Sequence, residues 1–238
     1  DGYKGHVAID PVSEVITATE VTAGNVGDGA VATELLADVL SESTAKADKP
    51  VEIYGDASYG TADVVEKLEQ AGAEANVKVQ PVLNRTGLFS QDDFKIDESA
   101  GTVSCPNGQL VQLRRSRDGS GHANFGAFCG SCPQQAQCTT SKSGRVLTTH
   151  PKHAVLQRAR ARQRDPEWKA KYRATRPKVE RKLSHMMRRR HGGRRARMRG
   201  STRIGHDFSL LGAAVNLNRL ATLGVHFDAE RWVRSVEA

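Results

Sequence analysis

The stretch "VEIYGDASYGTADVVEKLEQAG" (51–72) decides the fold. It opens as a short apolar run, stops at Gly55-Asp56, turns through Ala-Ser-Tyr-Gly and resumes at helical spacing. Thr61 suits an N-cap and Gly72 a helix stop, so a buried strand followed by a helix is predicted. An Asp at the carboxyl end of such a strand can form a turn, or can hold a carboxylate where a metal ion binds. The stretch alone leaves both readings open. Upstream, "YKGHVAID" (3–10) and "EVITATEVT" (14–22) alternate around Pro11 and read as two antiparallel strands. "GNVGDGAVATELLADVL" (24–40) begins as a loop and becomes a helix, "STAKADKP" (43–50) is a polar linker, and "ANVKVQPVLN" (75–84) is a strand. The order β-β-α-β-α-β predicts an α/β fold, a mixed sheet flanked by helices.

Residues 85–150 break this rhythm. They are rich in Gly, Ser and Asn, hold all four cysteines and offer short strand pieces such as "GQLVQLRR" (108–115). A loop-rich insertion is expected here, between a first part of the core (1–84) and a helical completion (151–224). In the latter, Asp165 suits an N-cap and Pro166 the first helical position. A long basic helical stretch then runs to about Arg190, interrupted by Pro177. A Gly-Arg connection (191–200) leads to the apolar helix "FSLLGAAVNLNRLATLG" (208–224), and 225–238 read as a tail.

The 238 residues carry a net charge of +8 that hides an asymmetry. Residues 151–200 hold 19 Lys/Arg against three acids, a local balance of +16, so the remainder carries −8. A face that meets a polyanion is one reading of this polarity, and a solvated basic helix is the other. Aromatic content is 5%, too low for an extended stacking platform on single strands. No run has the length of a membrane span. The opening "DGYKGHVAID" reads like the middle of a strand, with no leader, which gives the expectation of a fragment of a longer cytoplasmic protein.

Cys105, Cys129, Cys132 and Cys138 have the spacing C-x23-C-x2-C-x5-C. A C-x2-C knuckle brings two thiolates to one tetrahedral ion, and two more complete a structural Zn²⁺ shell. Free or redox thiols and disulfides are the alternatives, and His122 is a spare ligand. The segment looks too polar to fold around a core of its own, so a staple is expected. A closed four-thiolate shell has no open position for catalysis.

Phosphoryl transfer with two metals needs clustered carboxylates on rigid supports. Asp56 suits a strand tip. Glu180 suits a facing helix, being the only acid between Glu167 and Asp207, although a lone carboxylate there is by default an ion-pair partner for Arg176, Lys178 or Arg181. Taken together, "GYKGHVAID" (2–10), "VITATEVTAGNVGD" (15–28), "YGDASYG" (54–60), "YRATRPKVERKLSHMMRRR" (172–190), "ARMRG" (196–200) and "LLGAAVNLNRL" (210–220) resemble the catalytic region of bacterial insertion-sequence transposases of the DDE type. The resemblance covers nearly the whole chain, the cysteine-bearing insertion included.

This resemblance implies an RNase H-like core. It implies Asp, Asp and Glu holding Mg²⁺ (or Mn²⁺), and cleavage of element ends followed by joining of a 3′-hydroxyl to target DNA. Asp56 matches the second acid and Glu180 the third. The family's helical signature is Tyr, two residues, Arg, three residues, Glu, six residues, Lys. Arg176 stands where the signature asks; its tyrosine position holds Arg173, with Tyr172 one residue off, and its lysine position holds Met187, with Arg188 next. Tyr172, Arg173, Arg176, Lys178, Arg181 and Arg188 would hold the DNA backbone, and Arg189, Arg190, Arg194, Arg195, Arg197 and Arg199 would extend that track. The first acid would lie on a strand upstream of residue 1. Asp10 is expected at a turn and Asp28 capping the amides of a helix start, which leaves the chain as given without a complete triad and inactive. Double-stranded DNA, as element ends and target, is the implied partner, with a homo-oligomer as working form and neither membrane nor small-molecule substrate. A metal-dependent nuclease without joining activity and a non-catalytic, zinc-containing DNA-binding remnant are the competing readings.

Overall fold

The computed structural model describes residues 2–46, 49–82 and 87–234. The chain divides into two compact units: residues 1–78 with 162–238, and residues 79–161. Both are mixtures of small sheets and helices, the α/β class read from the sequence.

In the first unit, β1 (Tyr3–Ile9) and β2 (Ile16–Ala23) pair antiparallel. Asp10 sits at their turn, where its carboxylate accepts from the Val12 and Ser13 amides at 3.1 and 2.8 Å. β3 (Glu52–Gly55) and β4 (Glu74–Val77) pair parallel, joined by α3 (Ala62–Gln70). The Thr61 hydroxyl caps α3 by accepting from the Val64 amide, and Ala62, Val64, Val65 and Leu68 bury its inner face. Gly72 ends the helix at φ +74°, a conformation that glycine adopts without a Cβ penalty. These local signals were legible in the quoted stretch. The preceding helix differs: it comes as α1 (Ala32–Leu35) and α2 (Ala37–Lys46), so helix extends into the supposed linker, while residues 47 and 48 lie outside the described residues. Strand β4 ends well before the expected 84, and residues 83 and 84 likewise lie outside the described residues.

Two long helices complete this unit, α7 (Pro166–Met186) and α8 (Ser201–Thr222). The Asp165 carboxylate caps α7 through the Glu167 amide, with Pro166 in the first turn. Pro177 does not interrupt α7, contrary to expectation; it lies inside the helix, where it is exposed. Its missing N–H leaves the Arg173 carbonyl without its helical donor, but the exposed position gives that oxygen water in exchange. α8 lies on β2. A Cβ added at Gly212 would come within 3.2 Å of Thr19, so glycine sets the close approach. One turn on, the Asn216 side chain accepts from the Ile16 amide and donates to the Ile16 carbonyl, both at 2.8 Å. Asn216 thereby pairs with the strand as another strand would. Ile16, Met186, Phe208 and Val215 form the buried core beneath. The final segment is a hairpin, β11 (Val225–Asp228) with β12 (Arg231–Arg234), where a tail was expected. Its turn residues Ala229 and Glu230 have positive φ, and neither residue type announces such a turn.

The second unit holds β5 (Lys95–Asp97), β6 (Thr102–Ser104) and β7 (Leu110–Gln112) in one sheet. β8 (Arg114–Arg115), β9 (Gly121–Asn124) and β10 (Val146–Thr149) form another. The short helices α4 (Gly126–Cys129) and α5 (Gln135–Cys138) carry cysteines, and α6 (His153–Arg164) follows. The expectation that this segment lacks a core is corrected: Phe94, Val103, Leu113, Ala123, Phe125, Cys129, Cys138 and Leu147 form one buried cluster. These residues are too scattered for a window of hydropathy to reveal them.

Replacing Asn216 by Leu leaves the Ile16 amide and carbonyl without their partner. It should cost about 1–3 kcal/mol of stability, read as a lower urea midpoint, whereas Thr19→Ala at the more exposed end of the contact should cost less.

Candidate active site and the cysteine pocket

Asp56 follows β3 directly. Its carboxylate accepts from the Ser58 amide at 3.0 Å, and the Tyr59 amide donates back to the Asp56 carbonyl at 3.2 Å. The turn-forming reading is therefore correct. It does not exhaust the carboxylate, whose second oxygen accepts from the Arg176 guanidinium at 2.9 Å. The same guanidinium reaches Glu180, one helical turn on, at 3.5 Å. One cation on α7 thus sits between two carboxylates 124 positions apart in the chain. The side chains of Asp56 and Glu180 are 38% and 62% exposed, that of Arg176 only 20%. The charge is held inside while both acids keep a face to solvent.

α7 is docked beside Asp56 by Tyr172, whose hydroxyl donates to the Gly55 carbonyl at 3.1 Å. Burial pushes the Tyr172 hydroxyl above its usual range, with Arg176 opposing. Trp168 stacks on Tyr172, ring centroids 4.8 Å apart and planes 15° from parallel. Trp168 was not singled out from the sequence; the signal was its spacing of four from Tyr172 on a predicted helix. Close by, Tyr59 meets the buried His6, hydroxyl to Nδ1 2.7 Å, and His6 Nε2 meets the Thr22 hydroxyl at 2.9 Å. Burial, then the charges of Asp28 and Asp56, push the Tyr59 hydroxyl up to about 12. Asp28 does not cap the helix start as expected; no side chain caps that turn, and Asp28 takes the Lys4 ammonium at 2.8 Å instead. Among the described residues no three His, Cys, Asp or Glu side chains are grouped to hold a metal ion.

The basic residues divide by partner. Lys178 donates to the Pro11 carbonyl at 2.8 Å and Arg181 pairs with Glu14, so both hold the β1–β2 turn against α7. Arg197 makes a two-pronged pair with Asp207 at 2.6 and 3.2 Å. Arg190 donates to His191. Arg173, Arg188, Arg189, Arg194, Arg195 and Arg199 are exposed. A cavity of about 1190 Å³ opens beside this region, lined by Lys4, Arg194, Arg195 and Arg197 among others.

In the second unit all four cysteines are free thiols. Cys105, Cys129, Cys132 and Cys138 line one cavity of about 20 Å³ together with Arg145. The Arg145 amide donates to Cys129 Sγ at 3.4 Å, and its guanidinium donates to the Cys138 and Phe89 carbonyls at 3.4 and 3.1 Å. Burial pushes the Cys138 thiol up, Arg145 lowers it, and the other three cysteines raise it. His122 is not part of this group; it faces Thr148 across β9 and β10.

His6 carries a pH dependence. Its pKa lies below the ordinary 6.5, chiefly through burial, with Asp28 opposing and Lys4 assisting. Below about pH 6.5 the unfolded chain takes up a proton that the folded chain resists, so stability falls as pH drops through that window. His153 and His185, also lowered by burial, act in the same direction. His6→Gln should therefore shrink, without abolishing, the difference in urea midpoint between pH 7.5 and 5.5, values spanning the ordinary imidazole range of about 6.5; an unchanged difference would exclude the buried neutral imidazole as its source.

No helix among the described residues is long and apolar enough to cross a membrane. No curated protein and no solved structure matches the chain. Residues 104–221 match the family model of the transposase DDE domain, a span that includes the cysteines, Arg176 and Glu180 and begins after Asp56. Over that span, about half of its length, the chain belongs to the family of transposase DDE domains.

Proposed function

We propose that the chain is the catalytic region of a DNA transposase, with Asp56 and Glu180 as two of the acids that bind Mg²⁺ (or Mn²⁺). The observation that carries this reading is the Arg176 guanidinium lodged between the two carboxylates. A positive group already serves both acids, so the pair fits a shared cation. The metal, when bound, supplies charge neutralisation at the phosphate and a more acidic attacking oxygen. The chain's own residues do the rest. Tyr172 fixes α7 to the β3 tip and so sets the spacing of the two acids. Arg176, released from the carboxylates, is placed to take a phosphate oxygen. Arg173, Arg188, Arg189, Arg194, Arg195 and Arg199 supply sequence-independent contacts to the DNA backbone. Water is the nucleophile for cleavage and a DNA 3′-hydroxyl for joining. By the family's pattern a third acid completes the set from a further strand of the same sheet.

The proposal also assigns the four thiols to one structural Zn²⁺. What supports this is that four soft donors of the type such an ion takes line one cavity; among the described residues they are not grouped at ligand spacing, so the ion would have to draw them together. The ion would be a staple added to a segment that already owns a core.

Two measurements test this. In a protein that carries the complete acid set, Asp56→Asn or Glu180→Gln should lower Mg²⁺-dependent plasmid cleavage by at least about a hundredfold. Affinity for duplex DNA should stay within a few-fold; retained cleavage ends the assignment, and loss of joining alone in the unsubstituted protein favours a plain nuclease. For the thiols, one Zn²⁺ per chain should co-purify, Cys132→Ser should remove it, and a chelator should lower the melting temperature of the unsubstituted protein only. A metal-free chain with an unaltered melting temperature would leave them as free thiols.

A further inference from the structure

The turn that carries Asp56 leaves β3 at Gly55 and closes at Tyr59, whose amide donates to the Asp56 carbonyl at 3.2 Å. It is a tight turn: a Cβ added at Gly55 would lie 3.5 Å from the Tyr59 Cβ. Among the described residues no strand hydrogen bond joins β3–β4 to β1–β2. The place of the turn against β1–β2 is therefore left to side chains, and Tyr59 reaches across.

Its hydroxyl meets Nδ1 of His6 on β1 at 2.7 Å, with the two rings edge-on, 78° apart. The other ring nitrogen of His6 meets the Thr22 hydroxyl of β2 at 2.9 Å. A neutral imidazole has one donor and one acceptor, and each hydroxyl can play either part, so both nitrogens are satisfied in either tautomer. His6 is only 3% exposed, so water cannot replace a lost partner, and moving the ring would leave a buried nitrogen unpaired. An imidazole tied at both ends is a fixed post on the β1–β2 sheet.

We propose that Tyr59 is a positioning residue, which anchors the Asp56 turn to that post and so fixes the direction of the Asp56 carboxylate. Tyr172 holds the residue before Asp56 from α7, and Tyr59 holds the far end of the turn from the sheet. A carboxylate braced on both sides loses little freedom when an ion arrives, which is how residues beyond the ligands raise metal affinity. The consequence for metal rests on the reading of Asp56 as a ligand; the anchor does not.

Tyr59→Phe removes one oxygen and keeps the ring. In the full chain without metal it should speed hydrogen–deuterium exchange at the amides of residues 58 and 59 by at least about tenfold. Asn216→Leu, which loosens α8 on β2, should leave those two amides unchanged. In a protein that carries the complete acid set, the Mn²⁺ dissociation constant can be read from the paramagnetic resonance of free Mn²⁺. It should rise about tenfold in Tyr59→Phe and stay unchanged in Asn216→Leu, which separates positioning from a general loss of stability. His6→Asn, which keeps a polar atom near the Nδ1 position, should weaken Mn²⁺ binding less than His6→Leu. Unchanged exchange at residues 58 and 59 in Tyr59→Phe would overturn the inference. So would an unchanged Mn²⁺ affinity in Tyr59→Phe where Asp56→Asn abolishes binding. Binding undiminished by Asp56→Asn would instead overturn the reading of Asp56 as a ligand, and the exchange of residues 58 and 59 would then decide the anchor by itself.

Discussion

Everything proposed for the first unit depends on where α7 lies, and α7 is held at several places along its length. At its middle, Tyr172 donates to the Gly55 carbonyl and Arg176 pairs with Asp56. Further on, Lys178 and Arg181 grip the β1–β2 turn through Pro11 and Glu14. At its end Met186 is fully buried in the core with Ile16 and Phe208. The forces differ in weight. Exposed ion pairs contribute about 0–1 kcal/mol each, so the buried core and the hydroxyl–carbonyl contact set the helix position. Arg176 can therefore exchange partners at small cost to the fold. Asp56, Arg176 and Glu180 are thus a weak, exchangeable ion network whose two acids keep a face to solvent.

The sequence was legible where a signal is local. Asp165-Pro166, Thr61 and Gly72 mark their helix ends by chemistry confined to a few residues, and the structure places each as read. The Gly-Asp turn after β3 was legible for the same reason. It failed where the deciding partner is remote. Asp28 has the chemistry of a cap, but Lys4, 24 positions away, takes its carboxylate. Tyr172 looked displaced from the family's signature, yet its hydroxyl reaches Gly55, 117 positions away, because reach depends on how α7 is docked and not on a one-residue register. Pro177 carries a strong breaking signal that burial and pairing along the rest of α7 outweigh.

Asn216 shows the same lesson in a form that spacing could have suggested. An Asn amid apolar helix residues needs partners for both its donor and its acceptor, and a strand edge supplies one of each. Its attachment to Ile16, with Gly212 allowing the helix to come close, ties α8 to β2 by polar and apolar contacts at once. The "LLGAAVN" segment is thus a docking motif, whose small residue gives proximity and whose amide gives register. The second unit is organised on other terms, with Phe94, Phe125 and Val103 in a core of its own, to which Cys129 and Cys138 belong and against which Cys105 packs.

The candidate site depends on a short element, because Asp56 stands at the tip of β3, a strand of four residues. A strand that short with one hydrogen-bonded neighbour is weakly restrained, and isolated two-stranded sheets are marginal. What restrains it here is α7 on one element and β4 on the other. Gly55, whose carbonyl Tyr172 holds, is the residue immediately before Asp56, so the helix positions the carboxylate through the very backbone that carries it. A change that frees the Tyr172 hydroxyl loosens the strand tip and the Asp56–Arg176 pair together, because both contacts reach the tip from the same helix.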